Sequence, residues 1–183
     1  MRLTFDMREG DQKIGLFDLC NYVKNKLGTK IQMVEIGAYC GASGEIFAEN
    51  FNDGVINSVD PWEKYIEDCS IYDINKQEYE LKEAEIIFDY ITKNHKNIIK
   101  NKMSSVEYNK IIKDESLDFV YIDGNHQYSS ILEDIKIWYP KIKNGGIIAG
   151  HDYNWDSVKR AIFDFFKKNP DKTFCDHSWV FNK

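Results

Sequence analysis

The chain has 183 residues, a formal net charge of −6, 43% hydrophobic and 30% charged residues. A chain of this length suits one domain that buries roughly 70% of its unfolded surface without disulfides or structural metal. Lysines and acids are interspersed and no apolar run approaches the roughly 20 residues that cross a bilayer, so neither a nucleic-acid partner nor a membrane is expected.

Residues 1–11 are polar and read as irregular, with no signal-peptide core at the N-terminus. From Gln12 to Leu27, Ile14, Phe17, Leu19, Tyr22, Val23 and Leu27 predict an amphipathic helix ending near Gly28. It would either cover one side of a ligand site or only pack on a sheet. Ile31 to Ile36 is an apolar run suited to a buried parallel strand. Three glycines follow, Gly37, Gly41 and Gly44, and then Glu45 to Phe51 with helical spacing. Strand, glycine turn and helix form the first unit of a nucleotide-binding α/β sheet, with helix N–H groups facing an anion. The spacing is G-x-x-x-G-x-x-G rather than the G-x-G-x-x-G of dinucleotide enzymes, which disfavours a nicotinamide oxidoreductase.

Val55 to Val59 predicts a second strand ending at Asp60. An acid at that distance from the glycine turn can accept from both ribose hydroxyls; the alternative is a solvated loop aspartate. Residues 61–76, with Trp62, Tyr65 and Tyr72 among charges, are a candidate lid or insert, or a surface loop anchored by aromatics. A helix is expected from Gln77 to Asn94 and a short strand from Asn97 to Lys100. Ser104-x-x-Glu107 reads as a capping box. Leu117 to Ile122 predicts the clearest strand, running into Asp123-Gly124-Asn125-His126. Ser130-x-x-Glu133 reads as a second capping box, and Asn144-Gly145-Gly146 as a turn before a strand at Ile147 to Ala149. Val158 to Phe166 suggests a last helix, and Lys172–Cys175 with Ser178–Asn182 a closing antiparallel pair. Cys20, Cys40, Cys69 and Cys175 include no C-x-x-C pair, so zinc is not expected from them and they read as reduced thiols of a cytoplasmic protein.

The expected fold is therefore α/β: a Rossmann-like, mostly parallel sheet with helices on both faces and a C-terminal antiparallel strand pair, within a single domain of residues 1–183. Glu35, Gly37, Asp60, Ser105, Asp123, His126, His151 and Asp152 all fall at strand ends. Ligands bind at the carboxyl ends of such strands, and residues scattered in sequence meet there.

Glu-x-Gly-Ala-Tyr-Cys-Gly-x-Ser resembles motif I of class I S-adenosylmethionine (SAM) methyltransferases, most closely catechol O-methyltransferase and its metal-dependent relatives. The resemblance covers roughly residues 31–168 and is more specific for SAM than for the acceptor. It implies that Glu35 and Ser43 hold the amino-acid end of SAM, with Tyr39 beside the methionine chain and Ser105 against the adenine. Asp123-x-x-His126 matches the family's metal-binding aspartate and base, with histidine at the base position as in related sugar O-methyltransferases. His151-Asp152 matches two further metal ligands, usually Asp-Asn, Asp-Asp or Glu-Asp. The runs around Asp123 and His151 look like a bacterial and viral branch of small methyltransferases.

The resemblance thus implies an O-methyltransferase acting on a hydroxyl of a small molecule or sugar. A divalent cation, Mg or Mn, would sit on Asp123, His151 and Asp152, with His126 as base. Imidazole moves the preference from magnesium toward manganese, iron or zinc. Alternatives are a His151 that donates to a backbone carbonyl, or one that pairs with Asp123 or Asp152 around an empty site. A metal-independent N- or carboxyl-directed methyltransferase, or a noncatalytic SAM-binding protein, uses the same cofactor residues. A homo-oligomer is compatible with the sequence, which does not specify one.

Overall fold

The computed structural model describes residues 8–64 and 74–183. Seven strands form one sheet: β1 (Gln32–Ile36), β2 (Val55–Val59), β3 (Ile98–Asn101), β4 (Leu117–Ile122), β5 (Ile142–Gly150), β6 (Lys172–Thr173) and β7 (Trp179–Asn182). Their order is β3-β2-β1-β4-β5-β7-β6. The first five are parallel to one another, and β7 runs antiparallel to both β5 and β6. The expected architecture is therefore present. The chain winds outward from β1 to β3 and then returns to place β4 beside β1, so the crevice of the sheet opens at the carboxyl ends of those two strands.

The helices are α1 (Asp11–Leu27), α2 (Ala42–Asn50), α3 (Ile74–Thr92), α4 (Ser105–Asn109), α5 (Tyr128–Trp138) and α6 (Asp156–Phe166). Side chains of a strand alternate between faces. Met33, Phe119 and Tyr121 accordingly pack with Leu16, Leu19 and Phe47 of α1 and α2. Val34, Val120 and Ile122 pack with Ile135, Trp138 and Ile162 of α5 and α6. The central strands bury both faces, which is why β1 and β4 read as continuous apolar runs rather than alternating ones. Trp138 is fully buried, and its truncation to alanine would cost about 3–5 kcal/mol.

Four local expectations differ from the structure. Helix α2 begins at Ala42, three residues before the expected Glu45, because Gly41 takes the left-handed N-cap position. Ser130 does not cap α5: the N-cap is Gln127, whose N–H is held by Asn125 Oδ1 at 2.8 Å, so Ser130 lies within the first turn. Asn144-Gly145-Gly146 is not a turn between elements. It is an outward irregularity inside β5, where the pairing with β4 jumps from Leu117↔Ile142 to Phe119↔Ile147. Gly145 has φ +83°, and a Cβ at Gly146 would lie 2.6 Å from Ile142 Cγ2, so both positions favour glycine. Much of the expected lid, residues 65–73, lies outside the described residues, and the helix expected from Gln77 begins at Ile74. The Ser104–Glu107 capping box is formed reciprocally. Among the described residues, no helix is long and apolar enough to cross a membrane.

Candidate active site

The turn after β1 is shaped by a close approach. Gly37 has φ +87°, and a Cβ there would lie 2.0 Å from the carbonyl oxygen of Asp123. Only glycine lets the end of β4 pass so near. Asp123 is thereby carried against the glycine turn. On the other side, Gly37 N–H donates to Val59 O at 2.9 Å, so the end of β2 is drawn in as well.

A cleft of about 660 Å³ opens over these strand ends. Gly37, Tyr39, Ser43, Asp60, Ser105, Asp123, His126, His151 and Asp152 line it. Glu35 does not. It is 0% exposed and lies behind Ser43, accepting from Ser43 Oγ and, at 2.7 Å, from Ser58 Oγ. Its carboxylate thus meets Ser43 and Ser58 rather than opening onto the cleft. Burial pushes its carboxyl up to about 7, against the two serine hydrogen bonds, which favour the charged form.

Glu35 therefore lowers stability as pH rises. A carboxyl whose folded pKa is raised contributes stability that is present below its unfolded value of about 4.3 and is lost as pH rises through the folded value. Glu35→Gln stays neutral and keeps partners for both serines. It is expected to gain stability relative to the parent between about pH 5 and about pH 8 in urea melts, whereas an unchanged difference would mean that the buried carboxylate ionises without penalty.

Asp60 ends β2 with both oxygens engaged by the backbone. Oδ2 accepts from Tyr39 N–H at 3.0 Å and Oδ1 from Trp62 N–H at 2.7 Å. Burial raises its pKa against these two bonds. Each oxygen retains a second lone pair for a ligand in the cleft. Trp62 is buried against Phe88, with ring centroids 5.2 Å apart, and its Nε1–H donates to Tyr39 O at 2.8 Å. The start of the expected lid is thus part of the core.

Ser105 Oγ donates to Asp134 and accepts from Trp138 Nε1–H at 2.8 Å. Asp134 also lines the cleft, and burial pushes its carboxyl up to about 7, opposed by the Ser105 bond. Asp134 is a cleft-lining acid that the apolar stripe of α5 concealed. The signal was present, since it is an acid beside Ile135 on the buried side of that helix.

At the other end of the cleft four titratable groups converge. His126 Nε2 lies 2.8 Å from Asp152 Oδ2 and 4.0 Å from Asp123 Oδ1. His151 Nδ1 lies 3.2 Å from Asp152 Oδ1 and 3.7 Å from Asp123 Oδ1. Asp152 has φ +57°, a conformation aspartate tolerates. Consecutive extended residues would point to opposite faces; this bend lets His151 and Asp152 both approach Asp123. His151 is also held from behind, its carbonyl accepting from Trp179 Nε1–H at 3.0 Å. Burial disfavours a charged His126, but hydrogen bonds and charge from Asp123 and Asp152 outweigh it and push its pKa up to about 11. His151 is raised in the same way, chiefly by Asp152, against burial. Burial would raise Asp152, but the two imidazoles hold it below the usual carboxylate range.

This donor set fits a divalent cation. Ligand atoms of Asp123, His126 and Asp152 all lie within 4.8 Å of one another. Two carboxylates and an imidazole suit manganese, iron or zinc, and also magnesium with water completing its shell. The compact trio contains His126, where the sequence reading had His151. His151 nevertheless offers Nδ1 to the same carboxylates, and among the described residues its buried Nε2 has no hydrogen-bond partner, a backbone carbonyl included. A residue absent from every motif completes the cluster: Arg8, expected in an irregular stretch, is buried and ion-paired with Asp123.

A parallel sheet with its glycine turn at the switch point, an acid ending the second strand and a polar cluster beyond the fourth and fifth define the class I SAM-dependent methyltransferase fold. The chain belongs to the family described as Methyltransferase domain, which it matches over residues 34–153. Among solved structures it is similar to the O-methyltransferase NovP, with a TM-score of 0.64 and 14% identity over 92% of this chain and 78% of that one. It is also similar to fibrillarin from Aeropyrum pernix with natively bound S-adenosyl-L-methionine, with a TM-score of 0.57 and 11% identity over 91% of this chain and 74% of that one. A curated relative is the uncharacterized protein R132 of Acanthamoeba polyphaga mimivirus, 26% identical over 121 residues, or 66% of this chain. The chain spans about half the length of that relative, the match covering 50% of it.

Proposed function

We propose that the protein is a SAM-dependent O-methyltransferase acting on a hydroxyl of a small molecule or sugar, assisted by a divalent cation. The observation that carries this reading is one cleft that brings a glycine turn and a ribose-type acid together with a carboxylate–imidazole cluster. Bound SAM supplies an electrophilic methyl sulfonium that needs little activation. Ser43 and the glycine turn hold its amino-acid end, with Tyr39 beside the methionine chain. Asp60 accepts from the ribose hydroxyls, and Ser105 with Asp134 borders the adenine. Asp123, His151 and Asp152 hold the cation. When bound, the cation lowers the acceptor's pKa and takes up the carboxylate charge that otherwise keeps His126 protonated.

His126 takes the acceptor proton. Its side chain is 25% exposed against 12% for His151, so it is the more accessible of the two imidazoles. Alignment of the acceptor oxygen with the methyl group does the rest. A second reading makes His126 the third ligand, favoured by the compact trio it forms with Asp123 and Asp152. In the metal-independent alternative the histidines only orient the acceptor.

The test is methyl transfer from labelled SAM to a panel of hydroxylated metabolites and sugars, before and after exhaustive chelation. Transfer should vanish on chelation and return with manganese more than with magnesium. Full activity in the chelated protein would exclude metal assistance. On the cofactor side, Asp60→Ala is expected to weaken SAM binding by about 1.5–3 kcal/mol, the worth of hydrogen bonds to a charged group. Calorimetry measures it, and unchanged affinity would remove Asp60 from the site.

A further inference from the structure

Arg8 lies before α1 and belongs to no motif, yet it is only 7% exposed. Its Nη2 donates to Asp123 Oδ2 and, at 3.4 Å, to the hydroxyl of Tyr121. Its Nη1 lies 3.7 Å from Asp176 Oδ2. Tyr121 and Asp176 are themselves buried. Asp176 is fixed in turn by Ser178, whose N–H and Oγ donate to its two oxygens at 3.0 and 2.7 Å. The guanidinium therefore sits between two counter-charges that offset its burial, while among the described residues Nη1 has no hydrogen-bond partner.

The consequence for Asp123 is a division of labour between its oxygens. Oδ2 is taken by Arg8, while Oδ1 faces His126 Nε2 and His151 Nδ1 at 4.0 and 3.7 Å. We propose that Arg8 is a positioning residue for the metal group: by holding Oδ2 it fixes the rotation of the Asp123 carboxylate and presents Oδ1 to Asp152 and the histidines. The inference rests on the divalent-cation reading above. Arg8 does not cancel the charge that attracts a cation, because Asp176 balances it. With both imidazoles neutral, Asp123, Asp152 and Asp176 together exceed the single guanidinium by two negative charges, the complement of a divalent ion.

Charge and positioning predict opposite signs, which makes the role testable. Removing a positive charge beside a cation site should, by Coulomb's law alone, tighten cation binding. Losing the partner that orients a ligating carboxylate should weaken it, typically by about 10–100-fold. Mn²⁺ affinity is read from the paramagnetic resonance of the free ion, with the full chain, in the parent and in Arg8→Met and Arg8→Lys. Arg8→Lys keeps the charge and removes the planar fork, so it reads positioning even where Arg8→Met fails to fold. A rise in melting temperature with S-adenosylhomocysteine reports that each variant keeps its cleft. The expected result is weakened Mn²⁺ binding in both variants with that rise retained. Equal or tighter Mn²⁺ binding in the folded variants would overturn the role of Arg8 alone. A parent protein that takes up no Mn²⁺ would overturn the metal reading and this inference with it.

Discussion

His126→Ala is expected to lower methyl transfer by about 10²–10⁴-fold while SAM binds nearly as in the parent and Mn²⁺ binds no more weakly, the signature of a lost general base. Mn²⁺ binding that falls together with turnover would instead make His126 a ligand, and parent-level turnover would remove it from both roles. The pH dependence follows from its neighbours. In the cation-free protein, Asp123 and Asp152 push His126 up to about 11, so it carries a proton throughout the neutral range. It can accept a proton only after a cation has displaced the one it holds. Apparent Mn²⁺ affinity should therefore rise with pH, because uptake releases protons, and turnover should fall on the acid side. The same shift makes His126 stabilising in the cation-free fold. That contribution is complete below its unfolded value of about 6.5 and is lost as pH rises through about 11.

Gly37→Ala should be the most disruptive single-methyl change at the site. The added carbon would lie 2.0 Å from Asp123 O and 2.8 Å from Gly124 Cα, both backbone atoms that cannot rotate aside, and φ is +87°. Steric overlap and a left-handed backbone act together, so a cost above about 4 kcal/mol is expected. That is a large share of a typical stability of about 5–15 kcal/mol, and SAM binding should be lost with it. Gly124→Ala is the control: its nearest neighbour is Ile36 Cγ2 at 3.5 Å, an ordinary contact. Urea melts of the two variants should differ accordingly. Similar midpoints would mean that the turn and the end of β4 are not as close as 2.0 Å requires.

What the sequence made legible was whatever local pattern carries. The apolar runs of β1 and β4 and the turn at Gly37 belong to contiguous stretches, and so does the Ser104–Glu107 box. That Asp60, Asp123, His126 and His151 would gather at one cleft was legible because strand ends share one address in a parallel sheet. What escaped depends on distant partners. Glu35 read as a ligand because its burial under Ser43 and Ser58 is a tertiary fact. Ser130 and Glu133 had the spacing of a capping box, but Asn125 and Gln127 start the helix earlier. The glycines at 145 and 146 have turn chemistry, yet β5 absorbs them as a bulge because Ile142 pairs back to Leu117. Arg8 stood in a polar stretch with nothing nearby to mark it, since its partner lies 115 residues further along the chain.

That separation orders events in time. Arg8 precedes Asp123 by 115 residues. At synthesis rates of about 5–20 residues per second, the carboxylate follows the guanidinium by roughly 6–23 s. Until then Arg8 has no reason to leave water. The glycine turn and Asp60 are both made during this interval, so that part of the cleft can take shape on the ribosome with Arg8 still outside. Arg8 thus docks only after Asp123 is made, and the acceptor half closes around a side chain that had to wait for its partner.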